Sequence, residues 1–108
     1  MRSLDIYFYG IKAGRLTENI PGKSYSFKYY ESYLQQSFGA ISVTLPLSAN
    51  TYESDRLFPF FSNMLPEGAN RRIICREHKI DERDSFGLLR CFSGKDIIGA
   101  VTVKIPEV

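Results

Sequence analysis

The segment LFPFFSNMLPEG, residues 57–68, decides the fold of this chain because it joins an apolar helix face to a polar turn. Its apolar side chains recur at helical spacing and predict a helix with one broad buried face, made of Phe58, Phe60, Phe61, Met64 and Leu65. Pro66 and Gly68 then end this helix, because proline lacks a backbone donor and glycine tolerates left-handed dihedral angles. A basic, half-apolar second helix is predicted over residues 71–78.

Composition and turn residues predict an α+β fold around this segment. With 108 residues, 44% of them hydrophobic and 24% charged, the chain fits a single domain over residues 1–108. Aromatic and β-branched residues punctuated by glycine predict a small antiparallel sheet, partly closed like a barrel, with strands at residues 6–9, 15–17, 24–29, 41–45 and 97–104. Two or three short helices are expected among residues 31–36, 57–65, 71–78 and 85–91.

Local patterns add detail to this outline. The alternation in residues 24–29 should place Tyr25, Phe27 and Tyr29 on one buried face of a strand. Residues 48–54 read as a polar loop. Ser54 or Asp55 can cap the first long helix and Asp84 the last one, since a short side-chain oxygen accepts from an otherwise unpaired amide.

Charge and cysteine content argue against several classes of protein. The net charge of +2 and the pI near 8.6 are too mild to indicate nucleic-acid binding, although a helix-borne nucleic-acid module using Arg71, Arg72, Arg76 and Lys79 stays open as an alternative. Cys75 and Cys91 form neither a zinc pattern nor a disulfide framework, and we expect both to be reduced core thiols. No apolar run has the length of a signal peptide or a membrane span, so a cytoplasmic protein is predicted.

The sequence offers little catalytic chemistry. His78 is the only histidine and is predicted to lie at a helix end, where a cationic side chain meets the carbonyl terminus favourably. There is no G-x-S-x-G motif, no phosphate-binding glycine loop and no metal-ligand pattern. The acidic pairs are expected to be helix caps and solvated turns. We therefore predict a protein that is not an enzyme and needs no cofactor or metal.

Five stretches occur in order along the chain: IYFYGIKAGRL (6–16), SVTLPL (42–47), FFSNMLPEG (60–68), DSFGLL (84–89) and GKDIIGAVTV (94–103). Together they resemble the amino-terminal subdomain of HipA-type toxin kinases. The resemblance implies a subdomain that packs on the amino-terminal lobe of a kinase, whose catalytic machinery lies in a much longer sequence. Phosphoryl transfer needs a phosphate-covering loop, a nucleotide-contacting lysine and a catalytic aspartate, so this chain is not expected to be a kinase.

Taken as a chain without a kinase domain, the resemblance implies an antitoxin subunit. In tripartite HipBST toxin–antitoxin systems the equivalent subdomain is a separate protein, HipS. It binds and neutralises the serine/threonine kinase HipT, and the DNA-binding protein HipB is the third partner. The alternative is the isolated structural subdomain of a longer HipA-like kinase, with no inhibitory activity of its own.

The turn after the apolar helix is the predicted contact surface for such a kinase. The candidate residues are Pro66, Glu67, Gly68, Ala69, Asn70, Arg71 and Arg72, joined by Lys95 and Asp96 from the turn into the last strand. Glu67 can pair with a basic group of the kinase, and the two arginines with an acidic or phosphorylated one. Relatives often carry an aromatic residue where this chain has Ala69, so insertion of an aromatic plug is not expected from that position.

Overall fold

The computed structural model describes residues 1–36, 39–47, 51–94, 96–98 and 100–106, with the backbone alone at 96–98. In chain order the elements are β1 (Arg2–Phe8), β2 (Ile11–Ile20), β3 (Ser24–Tyr29), α1 (Glu31–Leu34), β4 (Thr51–Ser54), α2 (Pro59–Ser62), α3 (Gly68–His78), α4 (Ser85–Arg90), β5 (Asp96–Ile98) and β6 (Val101–Lys104). None of the helices in these ranges has the length and apolarity that crossing a membrane requires.

The strands form one antiparallel sheet in the order β4-β3-β2-β1-β6-β5. The predicted α+β class, with a small antiparallel sheet and short helices, is confirmed. The sheet is open and not closed into a barrel, because β4 and β5 lie at its opposite edges and do not pair with each other in the described residues. The single strand predicted over residues 97–104 is instead a hairpin, formed by β5 and β6.

Two further segments differ from the prediction. Residues 41–45 bend and turn instead of forming a strand, because the hydroxyl of buried Tyr29 holds both ends of the segment. It accepts from the Ile41 amide at 3.2 Å and donates to the Leu45 carbonyl. Residues 51–54, predicted as loop, form the edge strand β4 on β3. Their polar side chains suit an edge, where one face of the strand stays in water.

One face of the sheet carries the hydrophobic core. Tyr25, Phe27 and Tyr29 are buried on it, as the alternation of β3 predicted. The helices cover this face with aromatic rings, which lie as follows: Tyr33 of α1 is 5.8 Å from Tyr29, Phe61 of α2 is 5.8 Å from Phe27, and Phe86 of α4 is 6.5 Å from Tyr25. Each fully buried aromatic ring contributes about 1.5–3 kcal/mol, so these contacts hold the helices on the sheet.

The helix starts follow different capping rules. The predicted caps Ser54 and Asp55 do not cap α2, which begins at Pro59 with Phe58 as N-cap and no side-chain hydrogen bond. Proline at the first helical position has no amide hydrogen, so this helix start has one fewer donor without an intrahelical partner. The Asp84 cap is confirmed, since its Oδ1 accepts from the Gly87 amide at 3.0 Å.

Stability should fall at alkaline pH because Tyr29 is buried. Desolvation is the main reason that its pKa rises from 10.0 to about 12. The resulting stabilisation is complete below about pH 10 and is lost as pH rises through the folded-state pKa. Urea unfolding between about pH 9 and 11 should show a falling free energy of unfolding, with a shallower fall in Tyr29→Phe. An equal slope in both proteins would contradict this assignment.

Candidate partner-binding surface

The predicted contact turn is exposed at the junction of α2 and α3. Glu67, Gly68, Ala69 and Asn70 are exposed, and Pro66 is half-buried. Glu67 is the N-cap residue of α3 in an extended conformation, with no side-chain hydrogen bond to the helix. Gly68 has a φ of 60°, which a residue with a Cβ rarely adopts, so glycine is needed for the chain to reverse here. We call residues 66–72 the contact turn.

An apolar groove of about 400 Å³ lies directly beside the contact turn. Its lining residues come from the segment between α2 and α3, from α3 itself and from the turn after α4, and they are Met64, Leu65, Pro66, Asn70, Ile73, Ile74 and Phe92. Ile73 is 52% exposed although it is a large aliphatic residue in the middle of a helix. Pro66 and Asn70 belong to both features, so the turn and the groove form one continuous surface. Such an apolar patch with a polar rim is typical of a protein-binding site.

The two predicted arginines of the turn have different surroundings. Arg71 is half-buried and is used within the chain, since its Nε donates to the Glu82 carbonyl at 2.8 Å and its Nη2 to Ser85 Oγ at 3.0 Å. These bonds join α3 to the start of α4, so Arg71 positions the two helices. Arg72 is exposed and leaves the turn with a cation that faces solvent. Glu67 and Arg72 are therefore the charged groups of the turn best placed for a partner.

The two candidates near the last hairpin stand apart from this surface. Lys95 lies outside the described residues. The backbone of Asp96 belongs to β5 and pairs with Thr102 of β6 at the edge of the sheet. Phe92, which precedes this hairpin, does reach the groove. Sequence reasoning missed the groove, because Met64 and Phe92 read as core and only the adjacent pair Ile73 and Ile74 hinted at an apolar side chain pointing outwards.

A cluster of three charged side chains fixes the start of α4, and it was not predicted. Arg2 Nη2 lies 2.6 Å from Glu18 Oε1 and 2.7 Å from Asp84 Oδ1. Glu18 is only 2% exposed and also accepts from the Tyr25 hydroxyl at 3.2 Å. The hydrogen bond from Arg2 lowers the pKa of Asp84, and the same contact raises the pKa of Arg2. These groups satisfy one another, so we assign the cluster a structural role.

The fold is a small α+β domain with an exposed apolar groove beside the contact turn, and comparison with known families gives its family. The profile of the HipA N-terminal domain family matches residues 4–104. The chain belongs to this family, which confirms the resemblance drawn from the sequence motifs.

Individual relatives agree with this assignment. The chain is 32% identical over 104 residues to an uncharacterized protein of Haemophilus influenzae, covering 96% of this chain and 92% of that protein. It is 28% identical over 108 residues to the putative kinase Y4mE of Sinorhizobium fredii, covering 99% of this chain and 25% of that protein. The chain therefore spans a quarter of the length of this second relative. A solved N-terminal domain of HipA toxin is similar in structure, with a TM-score of 0.73 and 26% identity over 99% of this chain and 94% of that one.

Proposed function

We propose that this chain is a non-catalytic antitoxin-type subunit, similar to HipS, that binds and inhibits a HipT-type serine/threonine kinase toxin in the cytoplasm. Membership of the HipA N-terminal domain family supports a kinase toxin as the partner. The H. influenzae relative, which is matched over 92% of its length, supports a module of this size working as a separate protein. The observation that carries the proposal is the exposed surface made by the contact turn and the apolar groove.

The chemistry of this surface suits a partner that docks by shape and charge. Ile73, which is 52% exposed, and the groove beside it offer an anchoring site for an apolar side chain of the kinase. Glu67 and Arg72 are the exposed charges of the contact turn, and such charges select the partner and its orientation more than they add affinity. Arg71 donates its hydrogen bonds to Glu82 and Ser85 of the same chain, and these bonds hold the turn in position.

Inhibition in this proposal comes from the position of the docked turn. A turn held against the nucleotide cleft or the activation segment would inhibit by occupancy or by stabilising an inactive kinase conformation. Ala69 is too small to fill a nucleotide site, so the contact falls to Asn70 and the groove residues. A HipB-like DNA-binding protein is the proposed third member of the complex.

The test is co-purification with the kinase encoded beside this gene, together with a growth assay in which that kinase is toxic. The chain should be retained on the tagged kinase and should restore growth. If it neither binds the kinase nor relieves toxicity, the antitoxin proposal fails.

Reversing the two exposed charges of the contact turn should weaken the complex without unfolding the domain. We expect Glu67→Lys combined with Arg72→Glu to lower affinity about tenfold, because attraction between the turn and the kinase becomes repulsion. The matched control is Glu53→Lys with Arg56→Glu, the same pair of changes at exposed positions in and after β4. Binding by calorimetry and unfolding by urea are measured for both. Equal affinity of the contact-turn variant and the control would place the interface elsewhere.

The alternative is that this chain is the structural subdomain of a longer HipA-like kinase, without inhibitory activity. The match to a quarter of the S. fredii putative kinase favours this reading. A reading frame that continues from this chain into a kinase domain would support the alternative. A separate kinase frame beside it would support the antitoxin subunit.

A further inference from the structure

The sheet face opposite the core, which we call the outer face, carries a row of charged side chains in register. Cross-strand pairing places Lys28 of β3 opposite Arg15 of β2, Arg15 opposite Asp5 of β1, and Asp5 opposite Lys104 of β6. Lys12 also reaches this row, with its Nζ 3.4 Å from Asp5 Oδ2. Among the described side chains, these four cations face a single carboxylate in the row.

The one carboxylate of this row, that of Asp5, already has hydrogen-bond and ion-pair partners within the chain. Asp5 is 3% exposed and accepts from the Tyr30 hydroxyl at 2.7 Å and from Arg15 Nε at 3.3 Å, while Lys12 lies beside its second oxygen. Lys28 is left opposite Arg15 with like charge, an arrangement that disfavours a sheet. The row therefore keeps an excess of positive charge that an anion would neutralise.

A row of hydroxyl groups lies next to the cations. Ser26 pairs with Thr17 across β3 and β2, and Thr17 pairs with Ser3 of β1. Ser26 Oγ accepts from Asn19 Nδ2 at 3.4 Å, so its own hydrogen can be donated outwards. Glu53 of the edge strand β4 pairs with Ser26, so a second acidic residue lies at this end of the row.

The two rows border a cleft of about 460 Å³, which is lined by Lys12, Arg15, Thr17, Ser26, Lys28, Tyr30 and Thr51. Three cations beside the hydroxyl groups of Ser26 and Thr17 are groups that can bind a phosphate monoester through charge-assisted hydrogen bonds. We propose that this cleft binds the phosphorylated serine or threonine side chain of a protein partner. The cleft is distinct from the contact turn and stands whether or not the antitoxin proposal holds.

A phosphoprotein suits this cleft better than a nucleic acid does. The cations converge on one depression with a carboxylate among them, whereas nucleic-acid surfaces present a longer, uninterrupted basic stripe. The chain as a whole carries a net charge of only +2. A single dianionic group matches the local excess of charge, while a strand of successive phosphates would also meet Asp5 and Glu53.

The test is an NMR titration of the full chain with a short blocked peptide that carries one phosphoserine. Amide shifts should concentrate at Arg15, Thr17 and Lys28, and the unphosphorylated peptide should give none. Lys28→Gln should weaken binding about fivefold, because an exposed charge contributes modestly to such a contact. Lys23→Gln removes the same charge from the exposed turn between β2 and β3 and should leave affinity unchanged.

Several outcomes would overturn the proposal. It fails if the phosphopeptide produces no shifts in the cleft, or if both peptides produce the same shifts. Equal weakening by Lys28→Gln and Lys23→Gln would show a general charge effect. Displacement of the peptide by an equal concentration of inorganic phosphate would assign the cleft to the free ion, and tighter binding of a thymidine oligonucleotide would assign it to nucleic acid.

Discussion

Replacing Phe61 by alanine should lower the free energy of unfolding by about 4 kcal/mol, since the change removes a buried ring and leaves a cavity. Phe61 is 0% exposed, and its ring lies 5.8 Å from Phe27, 6.4 Å from Phe58 and 5.1 Å from Phe60. Small domains are stable by about 5–15 kcal/mol, so this variant should be close to unfolding at room temperature. Urea unfolding, monitored by circular dichroism, measures the difference in the free energy of unfolding between this variant and the unchanged protein.

Phe60→Ala is the matched control for this prediction. It removes the same ring from the neighbouring position, where the side chain is only partly buried. We expect it to cost less than half as much. Equal losses for the two variants would contradict the division of residues 57–68 into a buried face and a half-exposed one.

Removing the cation of the charged cluster should produce the second large loss. Arg2→Ala leaves Glu18, 2% exposed, without its ion pair and frees Asp84 at the start of α4. Breaking such a buried pair from one side costs about 3 kcal/mol, the lower end of the usual range because Arg2 and Asp84 keep some contact with water. The pKa of Asp84 should also rise towards its ordinary value, which carbon-detected NMR titration can follow.

The control for this change is Arg56→Ala. Arg56 is 82% exposed, and its Nε lies 3.7 Å from Oδ1 of Asp55, which is 85% exposed. The free energy of unfolding of Arg56→Ala should therefore equal that of the unchanged protein within experimental error. A similar loss in both variants would mean that Arg2 acts through general charge. An unchanged pKa of Asp84 in Arg2→Ala would mean that the contact in the cluster is not formed in solution.

Periodicity predicted the parts of the fold in which one side of an element is apolar. The alternation of β3 and the helical spacing of Phe58, Phe61 and Leu65 both led to the observed buried faces. The errors fell where long-range hydrogen bonds override local preference. Residues 41–45 have the composition of a strand, but Tyr29 holds them as a turn. Residues 51–54 read as loop because an edge strand needs little apolar content.

The existence of a turn at residues 66–72 could be predicted from sequence, but the surroundings of its side chains could not. Pro66 and Gly68 predict a turn from local backbone preferences alone, whatever the rest of the fold is. The assignment of Arg71 to a helix junction depends on Glu82 and Ser85, which only the folded chain brings near. The groove depends likewise on Phe92, which follows α4 in the chain and lines the groove together with residues of α3. The cluster of Arg2, Glu18 and Asp84 gave no local signal, since its members lie far apart along the chain.

The central position of β1 has a consequence for how the protein is made. One side of β1 pairs with β2, which is synthesised immediately after it, and the other side pairs with β6. At ordinary translation speeds, Phe8 is exposed for roughly 5 to 20 s before Val101 exists to pair with it. During that interval the edge of β1 that will pair with β6 is open, and an unpaired strand edge of this kind is where a nascent chain is most prone to aggregate.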